Sequence, residues 1–341
     1  MTKEWLRKSS LVLLTLVFAL VVAACGNNAQ GGDATTGSGG ATAEPQEQQE
    51  QEQAPEQEEA PALSGEIKLD GSSTVYPIAQ AVAEEFMGLH DVNVTVGLSG
   101  SSNGIKAIMN GEADIANSSR LIKEEEVKAI QDKGDDVVEM PVAYDGITVV
   151  IHPENDWATE MSVEQLKMIW QKDSTVKNWS DVDPSWPNEP ITLFGPGTSS
   201  GTFEYFTDEI NGEAKVSRED FTPSEDDNVL VQGVAGDKYA MGYFGFAYYE
   251  ENKDQLKAVA IKENADAPAV APTVETIADG SYKPLSRSIY IYPLKSALER
   301  PEVQEFIKFF MSEEGQALAE EVGYVRLGQD IYDKNLSALP Q

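Results

Sequence analysis

The chain has one cysteine, Cys25, and two histidines, His90 and His152, in 341 residues. A single thiol closes no disulfide within the chain. The shortage of histidine weighs against hydrolase chemistry. Gly197-Thr198-Ser199-Ser200-Gly201 fits the G-x-S-x-G pattern of a nucleophile elbow, with Ser199 as nucleophile. That architecture needs its histidine last in chain order, and both histidines precede Ser199. Bases are scarce too: 25 Lys and Arg face 58 Asp and Glu, a formal charge of −33. A surface of that sign repels a phosphate backbone and argues against nucleic acid as a partner. The apolar run from Leu11 to Ala24 covers 14 residues, short of the about 20 that a membrane span needs. No internal repeat is visible.

Lys3, Arg7 and Lys8 precede that run, which stops at Cys25, and the pattern is that of a signal peptide over residues 1–24. Val22-Ala23-Ala24-Cys25 resembles the lipobox of bacterial lipoproteins, which implies lipid on Cys25. A plain secretory signal or a short membrane anchor is the alternative. Gly26 to Ser64 is built from Gly, Ala, Gln, Glu, Pro and Thr with no Lys or Arg, so residues 25–64 read as a disordered acidic tether. Setting aside the signal, with three bases and one acid, and the tether, with eight acids, leaves −27 on Gly65 to Gln341. Those 277 residues are enough for two domains.

What the chain does have is strands that run into hydroxyl-rich loops and then into helices. Glu66 to Asp70 reads as a strand, Gly71-Ser72-Ser73-Thr74 as its loop, and Val75, Ile78, Ala79, Val82 and Phe86 share a helix face. Val92 to Leu98 leads into Ser99-Gly100-Ser101-Ser102-Asn103-Gly104. Pro190 to Phe194 leads into Gly195 to Thr202, with a helix from Phe203 to Ile210. Hydroxyls beside the free N–H groups of a helix start bind anions; each loop alone is equally an ordinary N-cap. The Gly195 to Thr202 loop is not a nucleotide P-loop, since no Lys follows its last glycine. Ser118-Ser119-Arg120 adds a basic residue suited to a bidentate anion contact, or to surface pairing with Glu124 or Glu125. Met140 to His152 is β-rich but broken at Asp145-Gly146, and Asp145 either turns to solvent or serves a site.

Asp-Gly-Ser-Ser-Thr-Val-Tyr-Pro (70–77), Ala-Asp-Ile-Ala-Asn-Ser-Ser-Arg (113–120), Ala-Tyr-Asp-Gly-Ile-Thr-Val-Val (143–150) and Gly-Thr-Ser-Ser-Gly-Thr-Phe (197–203) together resemble the phosphate-binding lipoprotein of bacterial phosphate ABC importers, the PstS family. The likeness runs from Glu66 onward. It implies an α/β, two-lobed type II periplasmic-binding-protein fold with two crossover strands and a central ligand cleft. The crossings fall near Asp145 to Val149 and Arg287 to Ile291, giving lobe one as 66–145 plus 288–341 and lobe two as 146–287. By position the implied phosphate ligands are Ser73, Thr74, Ser101, Ser102, Ser119, Arg120, Asp145, Ser199, Ser200, Gly201 and Thr202. Many relatives carry Arg and Asp in the last loop, where this chain has Pro196 and Thr198 or Ser199, so the charged contacts fall to Arg120 and Asp145. The resemblance further implies no catalysis and no cofactor, a monomer held on the extracytoplasmic face of the cell membrane by lipid on Cys25, and delivery of inorganic phosphate to a membrane permease. Sulfate or molybdate is the alternative ligand, and a Ser199 hydrolase or a scaffold lipoprotein the alternative class.

Two further stretches complete the reading. Ser224-Glu225-Asp226-Asp227 invites a metal, but its spacing is not that of an EF-hand, and Ser224 with Asp227 reads as a capping box for a helix at Val229 to Val234. No metal is expected. Tyr243 to Tyr249 reads as a buried aromatic strand.

Overall fold

The computed structural model describes residues 63–340. The signal peptide, Cys25 and nearly all of the tether lie outside the described residues. The strands are β1 (Ser64–Gly71), β2 (Asp91–Val96), β3 (Ile115–Ser118), β4 (Met140–Ile151), β5 (Glu160–Ser162), β6 (Thr192–Pro196), β7 (Thr222–Ser224), β8 (Ala240–Gly245), β9 (Lys257–Ala258), β10 (Ala260–Lys262) and β11 (Ser286–Pro293). Ser64, assigned to the tether by composition, already pairs with Asp91 as the first residue of β1.

One sheet runs β2-β1-β3-β11-β4-β8-β6-β7, with β9 also on β4. Its two halves repeat a single plan. In the first, β2, β1 and β3 are parallel, β11 follows antiparallel, and β4 lies beyond it. In the second, β7, β6 and β8 are parallel, β4 follows antiparallel, and β9 lies beyond it. Strand β4 belongs to both: Met140 to Gly146 pairs with β11, and Ile147 to Ile151 with β8. The expected break at Asp145-Gly146 is therefore a change of partner inside an unbroken strand. The fold is α/β, of the two-lobed type II periplasmic-binding-protein class.

Each half has its own core, divided in the second half into two clusters, the smaller around Leu230, Val234 and Phe244. The Tyr76–Leu89 helix takes Pro77 in its first turn and buries Ile78, Ala79, Val82, Ala83 and Phe86, a stripe at helical spacing. This face meets Phe306 and Phe310 of the Pro301–Phe310 helix. The second core holds Trp170, Trp179, Phe206 and Tyr243 fully buried, and the Trp179 indole N–H donates to the Tyr239 carbonyl at 3.2 Å. Burying one such large side chain contributes about 1.5–3 kcal/mol. Among the described residues no helix is long and apolar enough to cross a membrane.

Two element assignments in the second half move. The helix after β6 starts at Gly201, ahead of Phe203, and gives way at Phe206 to a wider turn over Thr207–Asn211, where the Thr207 hydroxyl donates back to the Phe203 and Glu204 carbonyls. The aromatic run from Tyr243 is not one strand. It is strand to Gly245 and helix over Phe246–Asn252, because the Phe246 N–H leaves the ladder to donate to Asp145.

Candidate functional site

The carboxyl ends of the parallel strands from both halves point at one place, the usual position for a ligand in an open α/β sheet. β1 ends at Gly71, whose φ is +140° and where a Cβ would stand 2.2 Å from the Asn117 carbonyl oxygen. Only glycine lets β1 run this close to β3 and release Ser72, Ser73 and Thr74 into the site. From the second half, Gly201 comes as near: a Cβ there would lie 2.6 Å from Ser101 Oγ and 2.7 Å from Ser119 Oγ.

The hydroxyls form one buried network. Thr74 Oγ1 lies 2.9 Å from Thr202 Oγ1, which is 3.5 Å from Ser119 Oγ. Ser119 Oγ accepts from Ser72 at 3.0 Å and is 3.3 Å from Ser101 Oγ, while the Ser119 N–H donates to Ser101 Oγ at 3.1 Å. Tyr324 donates to the Thr74 carbonyl and Tyr248 to the Ser73 carbonyl, fixing the first loop from behind.

At the centre is a cation that the sequence reading passed over as a mere crossing residue. Arg287, 6 % exposed, donates through Nε and Nη2 to Asp145 Oδ2 at 3.1 and 3.0 Å. The same Nη2 reaches Thr202 Oγ1 at 2.7 Å, and Nη1 reaches the Ser119 carbonyl at 2.8 Å. The two residues sit directly opposite each other on β11 and β4. A signal for Arg287 was present, since it shares the strand parity of Ile289 and Ile291 and a charge on a buried face needs a partner. Asp145 is 1 % exposed, so of its two readings the solvent-facing one fails. Burial pushes its carboxyl above the ordinary value, opposed by Arg287 and by the Phe246 N–H on Oδ1. Both its oxygens are engaged.

Arg120 is buried, but not on the hydroxyl network alone. It forks onto Glu126 at 2.8 and 2.7 Å, pairs with Glu204 at 2.9 Å, and donates to Ser102 Oγ at 3.2 Å. Glu124 and Glu125, its expected surface partners, are not the ones it meets. Burial works against the Arg120 charge, and Glu126 and Glu204 more than offset it, so its pKa is raised. Ser102 also accepts from Lys215 at 3.2 Å.

Ser200 spends its hydroxyl as the N-cap of the Gly201–Phe206 helix, accepting from the Thr202 and Phe203 N–H groups. Ser199 contributes backbone: its N–H donates to Glu225 Oε1 at 3.1 Å and its carbonyl accepts from the Ser102 N–H at 3.0 Å. No histidine joins it. His152 Nδ1 accepts from the Glu154 N–H, and the His90 ring centroid lies 4.6 Å from that of Phe86. The Ser199 hydrolase has no base.

Asp227 is the second residue missed. The capping role falls to Asp226, whose Oδ1 accepts from the Asn228 N–H at 2.9 Å, and the helix starts at Asp227. This frees Asp227 to turn inward, fully buried, where Ser73 donates to its Oδ1 at 3.2 Å and Oδ2 has no partner. Burial, joined by the nearby Asp145 charge and resisted by Ser73, pushes it up to about 7. Among the described residues no three His, Cys, Asp or Glu side chains are grouped to hold a metal ion.

Comparison with known proteins matches this arrangement. A profile described as "PBP superfamily domain" covers residues 43–314. Protein SphX of Synechococcus elongatus is 45% identical over 278 residues, 81% of each chain. The phosphate-binding protein PstS of Staphylococcus saprophyticus is 39% identical over 277 residues, 81% of this chain and 84% of that one. A possible phosphate binding protein from Planctomyces limnophilus superposes with TM-score 0.62 at 50% identity, covering 82% of this chain and 100% of that one. A putative phosphate ABC transporter substrate-binding protein from Clostridium perfringens, solved with bound phosphate, gives 0.67 at 27%, covering 77% and 100%. A match over most of the chain and a site drawn from both halves of one sheet agree: the chain belongs to the PBP superfamily, in the PstS family of phosphate-binding proteins of ABC importers.

Proposed function

We propose that this protein captures inorganic phosphate between its two halves and hands it to the membrane permease of an ABC importer, without chemistry on the ligand. One observation carries the reading: the buried Arg287–Asp145 pair is enclosed by hydroxyls from both halves of the sheet. A tetrahedral oxyanion needs a cation and many donors, and Arg287 with Thr74, Thr202, Ser119, Ser101, Ser73 and the N–H group of Gly201 supplies both. We divide the lobes at residues 66–145 with 288–341, and 146–287. We further propose that Cys25 carries lipid, that residues 25–62 act as a spacer, and that the protein works as a monomer at the extracytoplasmic face of the membrane.

Of the buried aspartates Asp145 and Asp227, we assign selectivity to Asp227. Asp145 spends both oxygens on Arg287 and the Phe246 N–H, whereas Asp227 keeps one free. Phosphate brings its own proton to such a carboxylate; sulfate has none and is met by lone pairs. Calorimetric titration with phosphate, sulfate and molybdate tests the whole reading. One phosphate per chain, bound at least tenfold tighter than the other two, is expected. Preference for another anion, or no heat with any, refutes it.

A further inference from the structure

Beside the hydroxyl network lies a second cluster of charge, drawn from both halves of the sheet and built around an anion of the protein's own. Glu204, in the helix that follows β6, is buried with its side chain 8% exposed. Arg120 Nε lies 2.9 Å from its Oε2 and Lys123 Nζ 2.6 Å from its Oε1. Both cations follow β3, in the opposite half. Lys215, from Glu204's own half, approaches Oε2 at 3.3 Å and donates across to Ser102. Among the described residues Lys215 is the one non-glycine residue at positive φ, +65°, with its N–H held by Thr207 Oγ1 at 2.7 Å. A non-glycine backbone kept in that conformation is over-determined by its surroundings. Arg120 is in turn braced by Glu126. The second half thus pushes a carboxylate into a cage of cations belonging mostly to the first.

We infer that Glu204 anchors an electrostatic clasp across the cleft: a positioning residue that holds the two halves together over a bound oxyanion and sets how fast that oxyanion leaves. The inference rests on the phosphate reading above. Hinge closure of such proteins separates or joins their lobes as units, so every contact made only when the halves meet adds to the barrier for release. The Glu204 contacts to Arg120 and Lys123 are of this kind. Neither Glu204 nor Lys123 bonds to the Thr74, Thr202, Ser119 and Ser101 hydroxyls, so these contacts act on the closed state without touching the anion.

The test is the release of radiolabelled phosphate from wild type, Glu204→Gln and Lys123→Gln after dilution into excess unlabelled phosphate. A clasp speeds release in both variants, by tenfold or more for Glu204→Gln and threefold or more for Lys123→Gln. In the double variant Lys123→Gln adds less than twofold to Glu204→Gln, because the partner is already gone. A merely local field on the anion acts otherwise: losing a negative charge slows release and losing a positive charge speeds it. Opposite directions in the two variants, or rates within twofold of wild type, overturn the clasp while leaving phosphate binding intact. Lys123 is 38% exposed on its side chain and its replacement leaves the core untouched, so if Glu204→Gln misfolds Lys123→Gln still decides. A clasp speeds release threefold or more with association within twofold of wild type, whereas a weakened local field slows association by more than twofold as well and overturns the clasp. Failure of the wild type to retain phosphate at all overturns the functional reading and the clasp with it.

Discussion

The two halves of the sheet share a strand order and divide the chemistry. After its three parallel strands the first half presents Ser72, Ser73 and Thr74, then Ser101, then Ser119, all hydroxyls at buried positions. At the matching points the second presents Thr202, then Asp227, then the N–H of Phe246. The charges come from the two crossing strands, Arg287 on β11 and Asp145 on β4, which face each other where β4 changes partner. A repeated topology thus yields a site that is not symmetric, because each half supplies what the other lacks and the opposite charges meet between them.

The comparison breaks most severely if one of the paired charges is removed. Asp145→Ala strands a buried guanidinium, and such loss costs about 3–5 kcal/mol of stability. Denaturant unfolding of the variant should show it, with Asp145→Asn less affected. A loss under about 1 kcal/mol would mean that Arg287 finds water or another partner.

Asp227 sharpens the contrast with Asp145 through pH. Its folded-state pKa, about 7, lies above the ordinary 3.8, so between those values the folded protein binds the extra proton. Stability therefore falls as pH rises through that window, by at most about 1.4 kcal/mol per unit. Asp227→Asn should remove that slope. Binding gives a second reading. Sulfate needs Asp227 protonated, so above about pH 7 its affinity should drop up to about tenfold per unit while phosphate, carrying a proton, holds. A phosphate-to-sulfate ratio indifferent to pH in wild type, or unchanged in Asp227→Asn, refutes the assignment.

Thr74 and Thr202 are equivalents that touch across the halves at 2.9 Å. Thr202→Val should weaken phosphate binding by about 1–2 kcal/mol and Thr74→Val by somewhat less, since Thr202 also holds Arg287 more closely. Titration of the double variant should show less than the sum of the two losses, because each replacement spoils the same contact. The smallest effect belongs to the segment before the fold: deleting residues 26–62 should change the dissociation constant by less than about threefold, roughly 0.7 kcal/mol.

Much of this site could be read in the sequence, because glycine and paired hydroxyls between a strand and a helix mark a loop by local chemistry alone. The loops carrying Thr74, Ser101, Ser119 and Thr202, which the structure joins in one hydrogen-bonded network, were legible that way. Arg287 and Asp227 were not, for different reasons. Arg287 acquires its meaning from a strand 142 positions away, a register that no local pattern encodes. Asp227 was hidden by its neighbour, since either acid could cap the helix and only tertiary burial decides that Asp226 does. Arg120 is the converse case: an Arg beside two serines suggests an anion ligand, and in the structure Glu126 and Glu204, one of them from the far half, hold its guanidinium. The fold, with a crossing near Asp145 to Val149, followed from the resemblance carried by four ordered motifs; that β4 runs unbroken through its change of partner did not, as an aspartate-glycine pair inside a strand looks like its end.

The central claim is that Arg287, not Arg120, is the cation that meets the ligand. Phosphate titrations of Arg287→Lys and Arg120→Lys, run side by side at pH 7 and low salt, test it directly. Lysine keeps the charge at each position but loses the planar fork. Arg287→Lys should bind phosphate at least about thirtyfold more weakly, roughly 2 kcal/mol, while Arg120→Lys stays within about threefold of wild type. The reverse order, with Arg120→Lys the more damaged of the two, would contradict the account.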